Sequence, residues 1–212
     1  MTRTRRQLSF YPLIAGLIAL YLLYALVQNF IVDPGADTFI HHKAGQTREL
    51  QTKTWLTVLY LHVGFACVAM ASGLLNFAAR SYERHRRFHR LNGYIYITSV
   101  FLVVLTSGYM APYATGGKIS SMGFNLLNIL WLVITVTALV HIRRKRIRQH
   151  RRWMIRSYAF CFTNLLIHLF TFVLHQLVDL PYITSYTIGL YAAMVLVLLA
   201  PEVIEPSTNA LS

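Results

Sequence analysis

Residues 55–79 read WLTVLYLHVGFACVAMASGLLNFAA, a run of 25 residues without Asp, Glu, Lys or Arg. The hydrocarbon core of a bilayer is about 30 Å thick and an α-helix rises about 1.5 Å per residue, so about 20 apolar residues span it. This run is therefore long enough to cross a membrane as a helix. Because five further apolar runs of similar length follow or precede it, we expect an integral membrane protein.

The six apolar runs are separated by charged or turn-forming residues, as the connections between membrane helices are. Turn formers occur at Asp33-Pro34-Gly35, at Gly116-Gly117 and at Asp179-Leu180-Pro181. The fold prediction is an all-α integral membrane helical bundle of about six transmembrane helices, which form a single transmembrane domain over residues 1–212. The predicted spans are Leu8 to Val32, Trp55 to Ala79, Leu91 to Ala111, Ile119 to Ile142, Trp153 to Val178 and Ile183 to Ala200.

The composition supports an integral membrane protein and argues against a soluble or nucleic-acid-binding protein. Only 13% of the residues are charged and the mean hydropathy is +0.48, whereas about 25% of the residues of a soluble domain are charged. The net charge of +13 would suggest nucleic acid in a soluble protein. Here no recognition helix or zinc-finger spacing accompanies it, so we expect anionic lipid headgroups, and no nucleic acid, beside the basic blocks. The blocks are Thr2 to Gln7, Arg80 to Arg90 and Arg143 to Arg156.

The same blocks predict how the chain is threaded, because positively charged flanks resist translocation. Sixteen of the twenty Lys and Arg residues lie in the N-terminal segment and in the second and fourth connections, which fall on one side of a six-span protein. Both termini are therefore predicted to be cytoplasmic. The four basic residues on the opposite side are Lys43, Arg48, Lys53 and Lys118.

Histidines are the ionisable residues predicted to lie at depth, since no Asp or Glu falls in the middle of a span. His62 lies about seven residues, or roughly 11 Å, inside the outer end of the second span, and His168 lies about ten residues, or roughly 15 Å, inside that of the fifth. His175 is two helical turns from His168 on the same stripe. These imidazoles either bond to neighbouring helices or ligate haem iron or a metal ion, with His62 and His168 as metal ligands.

A second set of histidines is predicted at the cytoplasmic ends of the spans, among arginines. His89 and His150 lie just before the third and fifth predicted spans, where Arg90 and Arg156 could pair with haem propionates. The alternative is a basic loop that faces lipid headgroups. The whole set comprises His85, His89, His141 and His150, with Arg80, Arg90, Arg152 and Arg156.

Three motifs carry a family resemblance: LHVGFA at 61–66, HRLNGYIY at 89–96 and HRRWMIRSYA at 150–159. Over about residues 56–175, the chain resembles bacterial predicted membrane proteins that contain domain of unknown function 2306, which implies the cytoplasmic (inner) membrane of a bacterium. The sequence departs from that pattern at Tyr94 and His168, where the family usually or often has Arg. The positions implied by the resemblance are His62, His89, Arg90, Gly93, Tyr96, His150, Arg151, Trp153, Met154, Arg156, Ser157 and Tyr158.

The leading functional prediction is membrane electron transfer through haem b or a metal ion, with a quinone or a membrane protein as the redox partner. In this hypothesis His62 with His168 or His175 forms the outer ligand set, and His89 with His150 forms the inner one. The first alternative is a non-enzymatic transporter or sensor with a polar seam of histidine and asparagine. The second is an assembly subunit of a membrane complex. The sequence leaves open whether the protein is an enzyme.

Overall fold

The computed structural model describes residues 3–37, 40, 51–77 and 85–204, which form helices and the short turns between them without any strand. The α-helices are α1 (Arg3–Val27), α2 (Thr52–Phe77), α3 (Arg86–Met110), α4 (Gly117–Arg143), α5 (Ile147–Ala159), α6 (Thr163–Phe172) and α7 (Tyr182–Ile204). Two π-helical segments, Gln28–Val32 and Val173–Leu177, extend α1 and α6, and two 3-10 segments, Ala111–Tyr113 and Phe160–Phe162, follow α3 and α5.

The six predicted spans are confirmed by length and composition. With their extensions, six helical stretches are long and apolar enough to cross a membrane, and the fifth of them combines α5 and α6. The all-α membrane fold is therefore confirmed, whereas the cytoplasmic location of the termini stays a prediction. The six stretches are Tyr11–Val32, Thr52–Phe77, Arg86–Tyr113, Gly117–Arg143, Ile147–Leu177 and Tyr182–Glu202.

Two helices begin earlier than the hydropathy pattern predicts. Helix α3 begins at Arg86 rather than at Leu91, and α5 begins at Ile147 rather than at Trp153. Apolar residues mark only the part of a helix that lies in hydrocarbon, whereas arginine and glutamine continue a helix well. The basic residues before each span are therefore helical, and they hold His89 and His150 on the first turns of α3 and α5.

The helices pack mainly in pairs, α2 with α3, α4 with α5, and α6 with α7. A buried core joins these pairs through Tyr96 and Val100 of α3, Trp131 of α4 and Leu190 of α7. Where α2 faces α5, Gly73 lies so close to the ring of Tyr158 that a Cβ atom at position 73 would overlap that ring. Small residues allow such close contacts between membrane helices.

We expect Gly73→Ala to destabilise the protein by about 1 to 3 kcal/mol, because the new methyl group must displace a packed aromatic ring. Gly64 is the matched control, since it lies on the same helix and a Cβ atom there would meet nothing within 4 Å. Thermal melting of both variants in detergent measures the effect. Equal melting midpoints for Gly73→Ala and Gly64→Ala would contradict the close packing of α2 on α5.

Helix α1 packs more loosely than the other spans. Of its described side chains only Ile18 is buried, and most of the others are exposed. Its polar contacts are a hydrogen bond from the Tyr11 hydroxyl to the Leu74 carbonyl of α2 (3.0 Å) and a longer contact between Tyr21 and Asn164 of α6 (3.4 Å). Helix α1 is therefore attached along one side of a bundle formed by the remaining helices.

Candidate functional site

Amide side chains fix the start of α3, which carries His89. Asn92, which is buried, donates to the Ser72 carbonyl of α2 (2.7 Å). Asn76, with its amide group oriented so that both ends are satisfied, donates to the His89 carbonyl (3.3 Å) and accepts from the Gly93 amide (3.2 Å). Amides commonly hold membrane helices together in this way. They set the position of the His89 backbone against α2.

His150 is held in one orientation by the neighbouring helix. Its Nδ1 atom lies 2.8 Å from the carbonyl oxygen of Ala138 on α4. Because a carbonyl oxygen only accepts, Nδ1 carries a proton, and the neutral ring then has its lone pair on Nε2. His89 and His150 are both half-buried, and they lie near enough for their charges to interact. We call these two residues the inner histidine pair.

The arginines around this pair differ in their surroundings. Arg90 and Arg152 are exposed, and Arg152 interacts electrostatically with Glu202 of α7. Arg156 bonds to Glu202 through both Nε (2.6 Å) and a terminal nitrogen (3.1 Å), and its guanidinium carbon lies 5.0 Å from the centre of the Trp153 ring. A bidentate pair of this kind is specific in geometry. A propionate at Arg156 would therefore compete with the protein's own carboxylate.

Glu202 is a residue that the sequence reasoning missed. It follows the last predicted span, which ends at Ala200, and no spacing rule connects position 202 with position 156. A usable signal was present, because Glu202 is the acidic residue next to the cytoplasmic end predicted for a span, opposite a basic block. An ion pair across two helix ends was therefore a reasonable expectation.

The other inner histidines occupy different surroundings. His85 is exposed and immediately precedes α3. The His141 ring stacks on Trp153 at 6.3 Å, and its buried Nδ1 has no hydrogen-bond partner among the residues that the structure describes. Arg80, the remaining member of the predicted inner set, lies outside the described residues.

His62 and His175 both bond to nearby protein groups. His62 Nδ1 lies 3.0 Å from the Thr106 hydroxyl of α3. That hydroxyl is 2.8 and 2.9 Å from two backbone carbonyls of its own helix, so its proton is used there and His62 is the donor. His175 Nδ1 lies 2.8 Å from the Leu180 carbonyl, and the ring meets Tyr182 edge-on. These contacts are those expected of histidines that join helices or turns.

The outer histidines are not brought together by any contact that the structure shows. His62 faces α3, whereas His168 is exposed on α6, which packs mainly against α7. Within residues 3–37, 40, 51–77 and 85–204, no three His, Cys, Asp or Glu side chains are grouped as metal ligands would be. The predicted ligand set of His62 with His168 or His175 therefore stays a prediction.

A buried cluster of hydroxyl groups occupies the centre of the bundle. Ser157, fully buried on α5, lies 2.8 Å from the Tyr96 hydroxyl, 2.7 Å from the Thr135 hydroxyl and 3.3 Å from Trp131 Nε1. Thr135 also lies 2.7 Å from the Trp131 carbonyl and so gives its own proton to that oxygen. We call these four residues the Ser157 cluster.

These distances assign every proton in the Ser157 cluster. Since the Thr135 proton is used on a carbonyl, Ser157 must donate to Thr135. Trp131 Nε1 can only donate, and the remaining lone pair of Ser157 accepts from the Tyr96 hydroxyl. The resemblance to the family implied Tyr96 and Ser157, whereas sequence reasoning missed Trp131 and Thr135, which carry no spacing signal.

Comparison with known proteins identifies the family. The sequence model of a family described as Predicted membrane protein (DUF2306) matches residues 59–204, which extends past the resemblance at 56–175 to include α7. The match covers α3 to α7 and most of α2, and it leaves out α1. No curated protein and no solved structure matches the chain. The matched range is more than half of the sequence, and the chain therefore belongs to the DUF2306 family of predicted membrane proteins.

Proposed function

We propose that this chain is a membrane redox protein in which the inner histidine pair ligates the iron of haem b or another metal ion. The observation that carries the proposal is the orientation of His150, whose Nδ1 is bonded to the Ala138 carbonyl while the ring lies within electrostatic range of His89. The two residues come from different helices, α5 and α3. Facing helices supply paired axial ligands to haem in this manner.

The tautomer of His150 supports this proposal. Neutral imidazole binds a metal through its unprotonated nitrogen, and a hydrogen bond from the other ring nitrogen to a carbonyl fixes the ring and makes the ligand more basic. In His150 the unprotonated nitrogen is Nε2, because Nδ1 donates to Ala138. His150 therefore has the second-shell contact that a ligand histidine needs.

The exposed arginines at the same end of the bundle fit an anionic cofactor. Arg90 follows His89 directly, and Arg152 lies on the first turns of the same helix as His150. Guanidinium groups bind carboxylates such as haem propionates. Arg156 joins such a site only where Glu202 releases it. A bound haem supplies one-electron chemistry, and a quinone or another membrane protein is the partner that donates or accepts the electron.

The proposal places the protein in the cytoplasmic membrane of a bacterium, with both termini and the inner histidine pair on the cytoplasmic side. Its support is the distribution of Lys and Arg, which puts sixteen of twenty on one side. On that side the basic helix ends lie beside anionic lipid headgroups. The outer ligand set of His62 with His168 or His175 has less support, since His62 and His175 already bond to Thr106 and Leu180.

The visible spectrum of protein purified from its own membrane tests the proposal. We expect a Soret band and sharp reduced α and β bands in the wild type. His89→Gln and His150→Gln should each lose most of the bound haem, because losing an outer-shell contact of a ligand already costs about ten- to hundredfold in affinity and losing the ligand costs at least as much. His85→Gln is the matched control, since His85 is an exposed histidine one helical turn before His89.

Two outcomes contradict the redox proposal. One is a wild-type preparation that carries no haem and no metal by elemental analysis. The other is an unchanged spectrum in both His89→Gln and His150→Gln at equal expression in the membrane. In either case the transporter or sensor and the assembly subunit become the remaining candidates. If only His62→Gln and His168→Gln alter the spectrum, the ligands belong to the outer set instead.

A further inference from the structure

Helix α6 carries two exposed polar residues on the side that faces α1. Asn164 and His168 are four residues apart, so their side chains lie on one helix face about one turn apart. The Asn164 amide nitrogen lies 3.4 Å from the Tyr21 hydroxyl of α1. Tyr21 is half-buried. Tyr21 and Asn164 therefore meet between α1 and α6, and His168 lies one turn further along the same face of α6.

This face of α6 is open to the bilayer. Asn164 and His168 are exposed, and so are Leu165 and Leu169 beside them. Helix α1 lies next to this face at Tyr21 and packs loosely, with Ile18 as its buried described side chain. A lipid-soluble molecule can therefore reach the polar groups from the bilayer between α1 and α6.

The polar groups on this face have unused hydrogen-bonding capacity. His168 makes no hydrogen bond to any residue in the described part of the chain. Tyr21 accepts from Asn164, which leaves its own hydroxyl proton available, and Asn164 retains a second N–H. Water is absent from the hydrocarbon core, so unsatisfied groups at this depth are costly. A ligand that bonds to all three would be stabilised there.

Depth and charge restrict what that ligand is. His168 lies about ten residues, or roughly 15 Å, from the end of its span, so charged lipid headgroups at the interface do not reach it. The side chains of Tyr21, Asn164 and His168 offer neutral donors and acceptors without a formal charge. They fit a neutral head with carbonyl oxygens attached to a long apolar body. Lipid-soluble quinones have this chemistry.

We propose that Tyr21, Asn164 and His168 form a binding site for the carbonyl-bearing head of a lipid-soluble quinone, which enters from the bilayer between α1 and α6. The site is separate from the inner histidine pair, because eighteen residues, or about 27 Å of helical rise, lie between His150 and His168. It does not require haem or a metal ion. Helix α1 lies outside the family match, which begins at residue 59.

Binding of decylubiquinone and of a short-chain menaquinone to the full chain in lipid nanodiscs tests the site, and an azido-quinone identifies the labelled helix by mass spectrometry. We expect saturable binding with label on α1 or α6. His168→Leu and Asn164→Leu should each weaken it about tenfold, the effect of losing a hydrogen bond of about 1.4 kcal/mol. Asn125→Leu is the matched control, since Asn125 is an exposed amide on α4 and should leave binding unchanged.

The proposal is overturned if the wild type binds neither quinone saturably, or if His168→Leu and Asn164→Leu bind as well as Asn125→Leu. It is also overturned if His168→Cys forms a complete disulfide-linked dimer in the membrane, because that face then contacts a second copy of the chain. His150→Gln distinguishes this proposal from the redox proposal. Quinone binding should persist in that variant, even where haem is lost.

Discussion

Replacement of Ser157 by alanine is expected to lower the stability of the protein by about 2 kcal/mol or more, although it removes a single atom from a helix. The Ser157 oxygen accepts from both the Tyr96 hydroxyl and Trp131 Nε1, and all three side chains are buried. A buried donor left without an acceptor costs about 1 to 3 kcal/mol, and this substitution creates two. For a chain of this length the melting midpoint should fall by about 4 °C or more.

Two further variants distinguish the stability contributed by the Ser157 cluster from the effect of losing any hydroxyl group. Tyr96→Phe removes one donor and leaves every acceptor in place, so it should cost less than Ser157→Ala. Thr137→Ala is the matched control, because the Thr137 hydroxyl is exposed and bonds only to the Val133 carbonyl of its own helix. Melting followed by tryptophan fluorescence gives all three values. A Ser157→Ala midpoint within 1 °C of the control would show that the assigned hydrogen bonds contribute little.

The threading prediction has an all-or-none outcome. In a background without Cys67 and Cys161, Lys118→Cys should react completely with a membrane-impermeant maleimide in intact cells. Arg148→Cys should react only after lysis. Both positions are exposed at ends of spans, and the sixteen-to-four distribution of Lys and Arg assigns them to opposite sides. Mass shifts on a gel measure both reactions.

The neighbouring Gly116 is a poor position for a cysteine in this experiment. Gly116 has a φ of +91°, and a Cβ atom there would overlap the hydroxyls of Ser120 and Thr187. A cysteine at position 116 would disturb the start of α4, whereas Lys118 points outward. Reaction of Arg148→Cys in intact cells, together with protection of Lys118→Cys, would reverse the proposed orientation. Reaction of both would remove α4 from the set of membrane spans.

Hydropathy was sufficient to predict the six spans, because burial in hydrocarbon requires about 20 apolar residues in each case. It was not sufficient to predict the 3-10 segment Phe160–Phe162, which divides the fifth span into α5 and α6. That segment contains neither proline nor glycine, so no local residue type indicates a break. Its geometry depends on packing, since Phe160 is buried and stacks on Trp131 of α4.

The sequence was sufficient to predict which residues belong to the candidate site, but not which side chains they contact. Residue type and depth identified His62, His89 and His150 as polar groups in or near the membrane. Their partners depend on how each helix is rotated about its axis, and local sequence spacing does not determine that rotation. Thr106 as the partner of His62 and Glu202 as the partner of Arg156 therefore came only from the structure. Local spacing relates residues within one helix and not between two.

The hydrogen bonds of Ser157 fix the rotation of α5 about its own axis. Ser157 bonds to Tyr96 of α3 and to both Trp131 and Thr135 of α4, so side chains from two other helices hold one oxygen atom. A rotation of α5 that moved Ser157 away would leave the buried Tyr96 and Trp131 donors without their acceptor. His150 lies seven residues before Ser157, about two helical turns along the same stripe of α5. The Ser157 cluster therefore also sets the direction in which α5 presents His150.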